Sequence, residues 1–321
     1  MAEPPVEPAA RAEELAVAYD ALRPRMTRVA YAILGSRAEA EDVVADCWPR
    51  LVEADGREAV RDLSAWLTVA VARAATDVLR SARVRREEYV GPWLPEPFVG
   101  RPSDGLDDPV DRVTLDETVS YALAVVLESL SPAERTAWVL HDVFGLPFAE
   151  VAAVVGRTPA AVRQLASRAR AHLSAQPGRF EVDRAAHEAV LHRFLAAAAG
   201  GDLAALLATL DPDVVLTSDG GGVVSAARRP VHGADRVARF LAGLVGKYVA
   251  AAGVQVDIEL VHANGAPAIG LREDGVLTSL VLLTVVGDRA TRVDLLRAPA
   301  KLAAAALVPR VRSAGEPRPA H

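Results

Sequence analysis

Five prolines, at positions 92, 95, 97, 102 and 109, crowd into residues 89–111 of this 321-residue chain. Each removes a backbone donor and clashes with the preceding turn, so no helix crosses the stretch and a central sheet strand is excluded as well. The chain must therefore fold in parts on either side of it. A second break, QPGRF at 176–180, separates helical periodicity from alternating apolar runs. With 51% hydrophobic and 24% charged residues, the parts have the composition of globular domains with cores of their own.

The expected organisation is a disordered Pro/Ala/Glu lead-in at 1–11, a helical domain at 12–89, a linker at 90–112, a second helical domain at 113–175, an α+β domain at 180–304 and a loose Pro/Arg tail at 305–321. In the first domain, apolar periodicity predicts helices over 13–34, 38–53 and 63–86. In the last, helices at 182–199, 202–210 and 234–248 accompany strands at 214–217, 254–262, 266–271, 277–286 and 291–296, separated by DGGG, ANGA, EDG and GDR turns. The linker carries Tyr89, Trp93, Leu94 and Phe98 at or near its start, too apolar for a solvated tether, and so should dock on a surface.

The second helical domain holds the most informative pattern. Ser131, Pro132 and Glu134 form a capping box with proline at the first helical position, and that helix should run to about Phe144 and stop at Gly145. A short helix over 148–155, a turn at Gly156, and a third helix capped by Thr158 with Pro159 behind it complete a helix-turn-helix. On the third helix Val162, Leu165, Ala166, Ala169 and Leu173 make the apolar stripe. Arg163, Gln164, Ser167 and Arg168 share the opposite face, which suits a major groove, with Arg157 and Arg170 placed for phosphates.

A net charge of −6 does not oppose this, because the positive charge is clustered. Arg80, Arg83, Arg85 and Arg86 form one run, and Arg157, Arg163, Arg168 and Arg170 another with no acid between them. Residues 37–62 are acidic on balance, with Glu39, Glu41, Asp42, Asp46, Glu53, Asp55, Glu58 and Asp62, and should prefer a basic protein surface. The single cysteine, Cys47, rules out an internal disulfide and a cysteine metal cluster. No apolar run reaches membrane-spanning length and the start lacks a signal-peptide pattern, so a cytoplasmic protein without a membrane partner is expected.

Residues 131–173 resemble sigma region 4 of the extracytoplasmic-function RNA polymerase sigma factors. The resemblance implies −35 promoter contacts from Arg157, Thr158, Arg163, Gln164, Ser167, Arg168 and Arg170. AEAEDVVADCWPRL at 38–51 is similar to region 2.2, which implies binding to the β′ clamp helices of core RNA polymerase through Glu41, Asp42, Asp46 and Trp48. Residues 63–89 are similar to regions 2.3 and 2.4, which implies −10 contacts from Trp66, Arg73, Arg80 and Arg83; Asp77 also matches and is read as a structural ion pair. Ala74 and Ala75 stand where the family often has asparagine.

Beyond region 4 the chain resembles the subfamily that carries a SnoaL-like cone at its C-terminus. The fold class implied is two all-α sigma domains, the second with the helix-turn-helix, followed by an α+β cone. YVGPWLPEP and DGGG match the subfamily's signatures and imply a regulatory contact between Trp93, Leu94, Pro95 and Asp219, Gly220, Gly221, Gly222, by which the extension tunes activity in cis. Val223 replaces the usual lysine after DGGG, and APAKL at 298–302 stands for NPDKL. No cofactor or metal is implied, and no catalysis, although related cones host cyclases and isomerases. Asp213, Asp219, His232, Asp257, His262 and Asp294 would be the candidates for such chemistry, and the cone leaves room for a small-molecule ligand. The competing class is a one-component helix-turn-helix regulator with a sensing domain, which leaves residues 13–89 without a purpose.

Overall fold

The computed structural model describes residues 8–87, 89, 91–100, 119–174, 184–250 and 255–305. Two compact units emerge: Met1–Glu88 with Leu123–Pro177, and Tyr89–Ala122 with Gly178–His321. The chain thus leaves the first unit at the proline-rich stretch, returns to it, and leaves again.

In the first unit, α1 (Pro8–Leu34), α2 (Arg37–Arg57) and α3 (Leu63–Glu87) pack together. Helix α1 begins at Pro8, inside the expected lead-in; residues 1–7 lie outside the described residues. Gly35, at φ 70°, turns the chain, and Ser36 caps α2 by accepting from the Glu39 N–H. Ala40, Val43, Val44, Cys47 and Leu51 then face inward at helical spacing, against Met26, Ile33, Leu67 and Val71. Helix α2 runs past residue 53 to Arg57. Asp55 near its end accepts from Arg11 and from the Val60 N–H, contacts that hold its carboxyl below the usual range.

Helix α4 (Tyr121–Leu127) precedes α5 (Pro132–Trp138), whose Ser131–Glu134 capping box is fully formed. The helix expected to continue to 144 changes at Val139–Val143 into a π turn. Helix α6 (Phe148–Val155) ends on Gly156 at φ 70°, and α7 (Pro159–Ser174) buries Val162, Leu165, Ala166, Ala169 and Leu173. The two helical parts are joined within this unit. The hydroxyls of Thr76 on α3 and Thr136 on α5 bond at 3.0 Å in a buried contact. Arg135, 2% exposed, donates to the Ala32 carbonyl of α1 and pairs with Glu128 at 2.7 Å.

The second unit is a seven-stranded sheet in the order β1-β4-β5-β6-β7-β2-β3. Its strands are β1 (Val99–Gly100), β2 (Leu210–Asp219), β3 (Val231–His232), β4 (Val256–Ala263), β5 (Ala266–Glu273), β6 (Val276–Val286) and β7 (Arg289–Leu296). Every neighbouring pair is antiparallel except β2 with β7. One face packs Leu216, Ile269, Val281, Leu283, Val293 and Leu295 against α8 (Arg184–Ala199), α9 (Leu203–Thr209) and α10 (Ala234–Ala250). Side chains alternate along a strand, so Ala268, Leu280, Leu282, Asp294 and Leu296 occupy the opposite face, yet they too are buried. That face meets α11 (Pro299–Ala305), which packs on β6, and the linker around Leu94. The described part of the proline-rich segment, residues 91–100, belongs to this unit, and its β1 residues Val99 and Gly100 pair with β4.

Candidate nucleic-acid interface and linker contacts

On α7 the arginines are free of acids along the chain, but two of the three meet one in space. Arg168 pairs with Glu134 at 2.8 Å and Arg170 with Asp142 at 2.6 Å, across 34 and 28 residues. Glu134 serves twice, since its other oxygen accepts from the Ser131 N–H and hydroxyl. Burial raises that carboxyl's pKa, and the Ser131 and Arg168 hydrogen bonds outweigh it, leaving it below the ordinary value. Arg163 is held differently, its guanidinium 5.3 Å from the Phe148 ring centroid. Phe148 in turn stacks on His141 at 3.7 Å, and His141 Nδ1 lies 2.9 Å from the Leu146 carbonyl oxygen. Arg157, Gln164 and Ser167 are exposed beside it, and Thr158 caps α7 through the Ala161 N–H.

The −10 candidates divide. Arg73 donates to the Ala153 carbonyl of α6 at 2.9 Å, within the same unit, and Arg80 pairs with Asp77 at 3.0 Å. Trp66 is half-buried on α3, while the Arg83 side chain lies outside the described residues. On α2, Glu41, Asp42 and Asp46 are exposed, with Glu41 paired to Arg37. Trp48 packs edge-on against Tyr19 at 5.1 Å, leaving Val52 exposed one turn further along.

In the second unit the linker closes on one buried carboxylate. Asp219, fully buried at the end of β2, accepts from the Tyr89 hydroxyl, the Leu94 N–H at 2.9 Å, the Gly221 N–H at 2.9 Å and the Lys301 ammonium at 2.7 Å. Lys301 also donates to the Leu94 carbonyl and sits over the Trp93 ring, 3.1 Å from its centroid. Burial, then the bond to Asp219, pushes the Tyr89 hydroxyl well above the usual phenol range. A β-carbon at Gly220 would fall 2.1 Å from the Val224 carbonyl oxygen, and Gly221, at φ 70°, lies against Ala298. Both glycines are thus dictated by close approach and backbone conformation.

Three family models match the chain: Sigma-70 region 2 over residues 18–85, Sigma-70 region 4 over 120–173, and a SnoaL-like domain over 191–291. The ECF RNA polymerase sigma factor SigJ of Mycobacterium tuberculosis is 47% identical over 233 residues, 72% of this chain and 73% of SigJ. This chain is an extracytoplasmic-function sigma factor. The probable ECF sigma factor SigI of the same species is 37% identical, over 70% of this chain and 75% of its own. The crystal structure of M. tuberculosis SigJ superposes with a TM-score of 0.72 at 35% identity, covering 91% of this chain and 99% of that one. The two all-α sigma modules followed by an α+β SnoaL-like domain therefore stand as the fold of this sigma factor.

Two residues of the linker site carry signals that composition alone does not reveal. Lys301 lies in APAKL, where one lysine among alanines turns inward to a carboxylate. Asn264 is the second. At φ 48° in the β4–β5 turn it donates its side-chain N–H to the Val119 carbonyl, accepts from the Phe98 N–H and donates its own N–H to the Phe98 carbonyl. ANGA reads only as a turn, but its asparagine fastens Phe98 and Val119, which lie on either side of residues 101–118. Val223, where the usual lysine is absent, is 81% exposed, and Ala300, at the position of the missing aspartate, is also exposed.

The candidates for enzymatic chemistry do not gather into a shared site. Asp294 is held bidentate by Arg292, Asp219 is occupied as described, Asp213, His232 and Asp257 are exposed on three different strands, and His262 is half-buried on β4. A cavity of about 20 Å³, lined by Tyr121, His187, Pro267, Leu282 and Thr284, has room for about one water. A larger apolar hollow of about 390 Å³ opens between α8, α9 and α10, beside Leu203, Leu206 and Val245. No helix among the described residues is long and apolar enough to cross a membrane, and no cluster of metal-ligating side chains occurs among them.

His187, 3% exposed, is driven by burial to a pKa of about 4, against a small opposing effect of Glu188. Because the unfolded chain binds this proton near pH 6.5 and the folded one only near 4, stability is full above pH 6.5 and declines as pH falls between those values, by about 3 kcal/mol in all. Thermal melts from pH 7 to 4 should show this slope in the wild type. They should lose most of it in His187→Gln, and an identical slope in both would contradict the assignment.

Proposed function

We propose that this sigma factor binds core RNA polymerase through the acidic face of α2, engages the −10 element through α3 and the −35 element through α7, and is tuned in cis by its C-terminal unit without catalysis. The polymerase reading rests on Glu41, Asp42 and Asp46 projecting around Trp48 and the exposed Val52, an apolar centre with an acidic rim that suits the basic clamp helices of β′. The relatives' shared name as RNA polymerase sigma factors supports the same partner. Arginines on α3 and α7 supply the DNA contacts.

The observation that carries the regulatory reading is the closure of the linker on Asp219. Tyr89 and Leu94, which follow region 2 directly in the chain, are bound by the carboxylate of the DGGG turn and by Lys301. Anything that loosens Asp219 changes how the chain leaves region 2, and no separate anti-sigma protein is needed to impose it. The apolar hollow beside Leu206 offers a place for a small-molecule effector.

Reconstituted transcription with core polymerase tests all of this. The full chain should initiate at a specific promoter, and Glu41→Lys with Asp46→Lys should weaken core binding at least about tenfold through like-charge repulsion. Trp93→Ala, and truncation after Ser174, should each alter promoter output. Unchanged output from both would remove the regulatory role, and DNA binding without initiation would favour an ordinary repressor.

A further inference from the structure

The four candidate arginines around the recognition helix are not equivalent, because their partners differ in charge. Arg168 and Arg170 each face a carboxylate within ion-pair distance. To read a base, either must abandon that partner, and Glu134 would then lose a ligand while still capping α5 through Ser131. Arg163 meets an aromatic ring instead. A ring attracts a cation through its quadrupole but carries no net charge and offers no acceptor oxygen. It can hold the guanidinium in one direction without neutralising it or consuming its N–H donors. No carboxylate among the described residues pairs with Arg163.

The ring itself is fixed. Phe148 is the first residue of α6, half-buried, and stacked on His141. His141 sits in the π turn, where one extra residue per turn shifts the following side chains around the helix axis. The same turn carries Asp142, which takes Arg170. The π turn thereby supplies the supports of two α7 arginines of opposite kind, one that removes charge and one that preserves it.

We propose that Arg163 is the specificity-determining arginine of the recognition helix and that Phe148 is its positioning residue, while Arg168 and Arg170 contribute orientation and electrostatics rather than base choice. This rests on the reading of α7 as the −35 contact. A long arginine loses considerable rotamer freedom on binding, and a side chain already leaned on a fixed ring loses less. The advantage is realised only where the bidentate fork meets guanine, so it enters discrimination rather than general affinity.

The test is selection from a duplex library randomised across the −35 region, using the full-length chain assembled with core polymerase, at two salt concentrations. Arg163→Ala should abolish the preference at a single base pair, a loss of about 5- to 150-fold in discrimination. Arg163→Lys should lose it equally while keeping the salt dependence, since the charge remains and the fork does not. Phe148→Leu should weaken discrimination about three- to fivefold at that same base pair, and Phe148→Tyr, which keeps the ring and guards against a folding artefact, should restore it. Arg168→Ala and Arg170→Ala should lower affinity evenly over all sequences. A Phe148→Leu profile identical to wild type, or a loss spread evenly over positions, overturns the proposal alone. A wild-type complex with no preference anywhere in the −35 region overturns the promoter reading and the proposal with it.

Discussion

Replacing Lys301 with alanine should destabilise the second unit by about 3–5 kcal/mol, the usual consequence of removing one member of a buried ion pair. Asp219 would keep the Tyr89, Leu94 and Gly221 donors but lose its only cationic partner among the described residues, at a site where its side chain has no access to water. The linker would lose two further contacts, the Leu94 carbonyl bond and the cation over Trp93. A loss of this size in a domain of this length corresponds to roughly 10 °C in Tm. Differential scanning calorimetry of the full chain should show the shift. The double variant Asp219→Asn with Lys301→Met, which removes both charges and keeps an acceptor for one of the Leu94 and Gly221 N–H groups, bound in the wild type by different carboxylate oxygens, should recover part of it. A Lys301→Ala protein melting with the wild type would refute the importance of the pair.

A reversible crosslink between α3 and α5 should have the larger functional effect. In the first unit, the candidates for the −10 and −35 elements belong to one packed body, joined by Thr76–Thr136, by Arg135 on Ala32 and by Arg73 on Ala153. A compact body of about 140 residues has a radius of gyration of roughly 15 Å and a diameter of about 40 Å. Promoter elements about 25 base pairs apart are separated by about 85 Å along B-form DNA. With −10 contacts from α3 and −35 contacts from α7, as proposed, the packed unit cannot place both readers at once; the α3–α5 contact is then expected to part, and Arg73 to leave the Ala153 carbonyl. Cysteines at Thr76 and Thr136, whose hydroxyls are 3.0 Å apart, with Cys47→Ala to remove the native thiol, should lock the unit on oxidation. The oxidised protein should lose at least 90% of initiation in reconstituted transcription, by a rough estimate from this length mismatch, and recover on reduction. Equal activity of both redox states would show that the contact does not have to open.

Much of the fold was legible because its signals are local. A capping box at Ser131, prolines at 132 and 159, a glycine at 156 and stripes at helical spacing each act within one or two turns, and the helices begin and bury where these residues require. The hairpins of the C-terminal sheet were legible for the same reason, with Asn264, Gly265, Asp274 and Gly275 taking the positive φ values their turns demand. What escaped was set by partners far along the chain. The acids that hold Arg168 and Arg170 come from another helix and a π turn that no proline or glycine announces. Prolines say what residues 89–111 cannot be, but not that residues 91–100 dock on the sheet of the second unit. The helix-turn-helix face was readable as a composition of residue types, and the difference between a carboxylate-paired arginine and one resting on Phe148 was not.

That docking has a consequence for synthesis on the ribosome. Leu94 and the lysine that holds it are 207 residues apart in the chain. At about 5–20 residues per second, the linker emerges roughly 10–40 seconds before its partner is translated. The helices of the first unit, complete by Pro177, are out of the ribosome during part of that interval, before most of the sheet strands that will bury Leu94 have been made. A chain interrupted before Lys301 therefore carries Leu94 without the lysine that binds it, and under the proposed control in cis such a product would be an unregulated sigma factor.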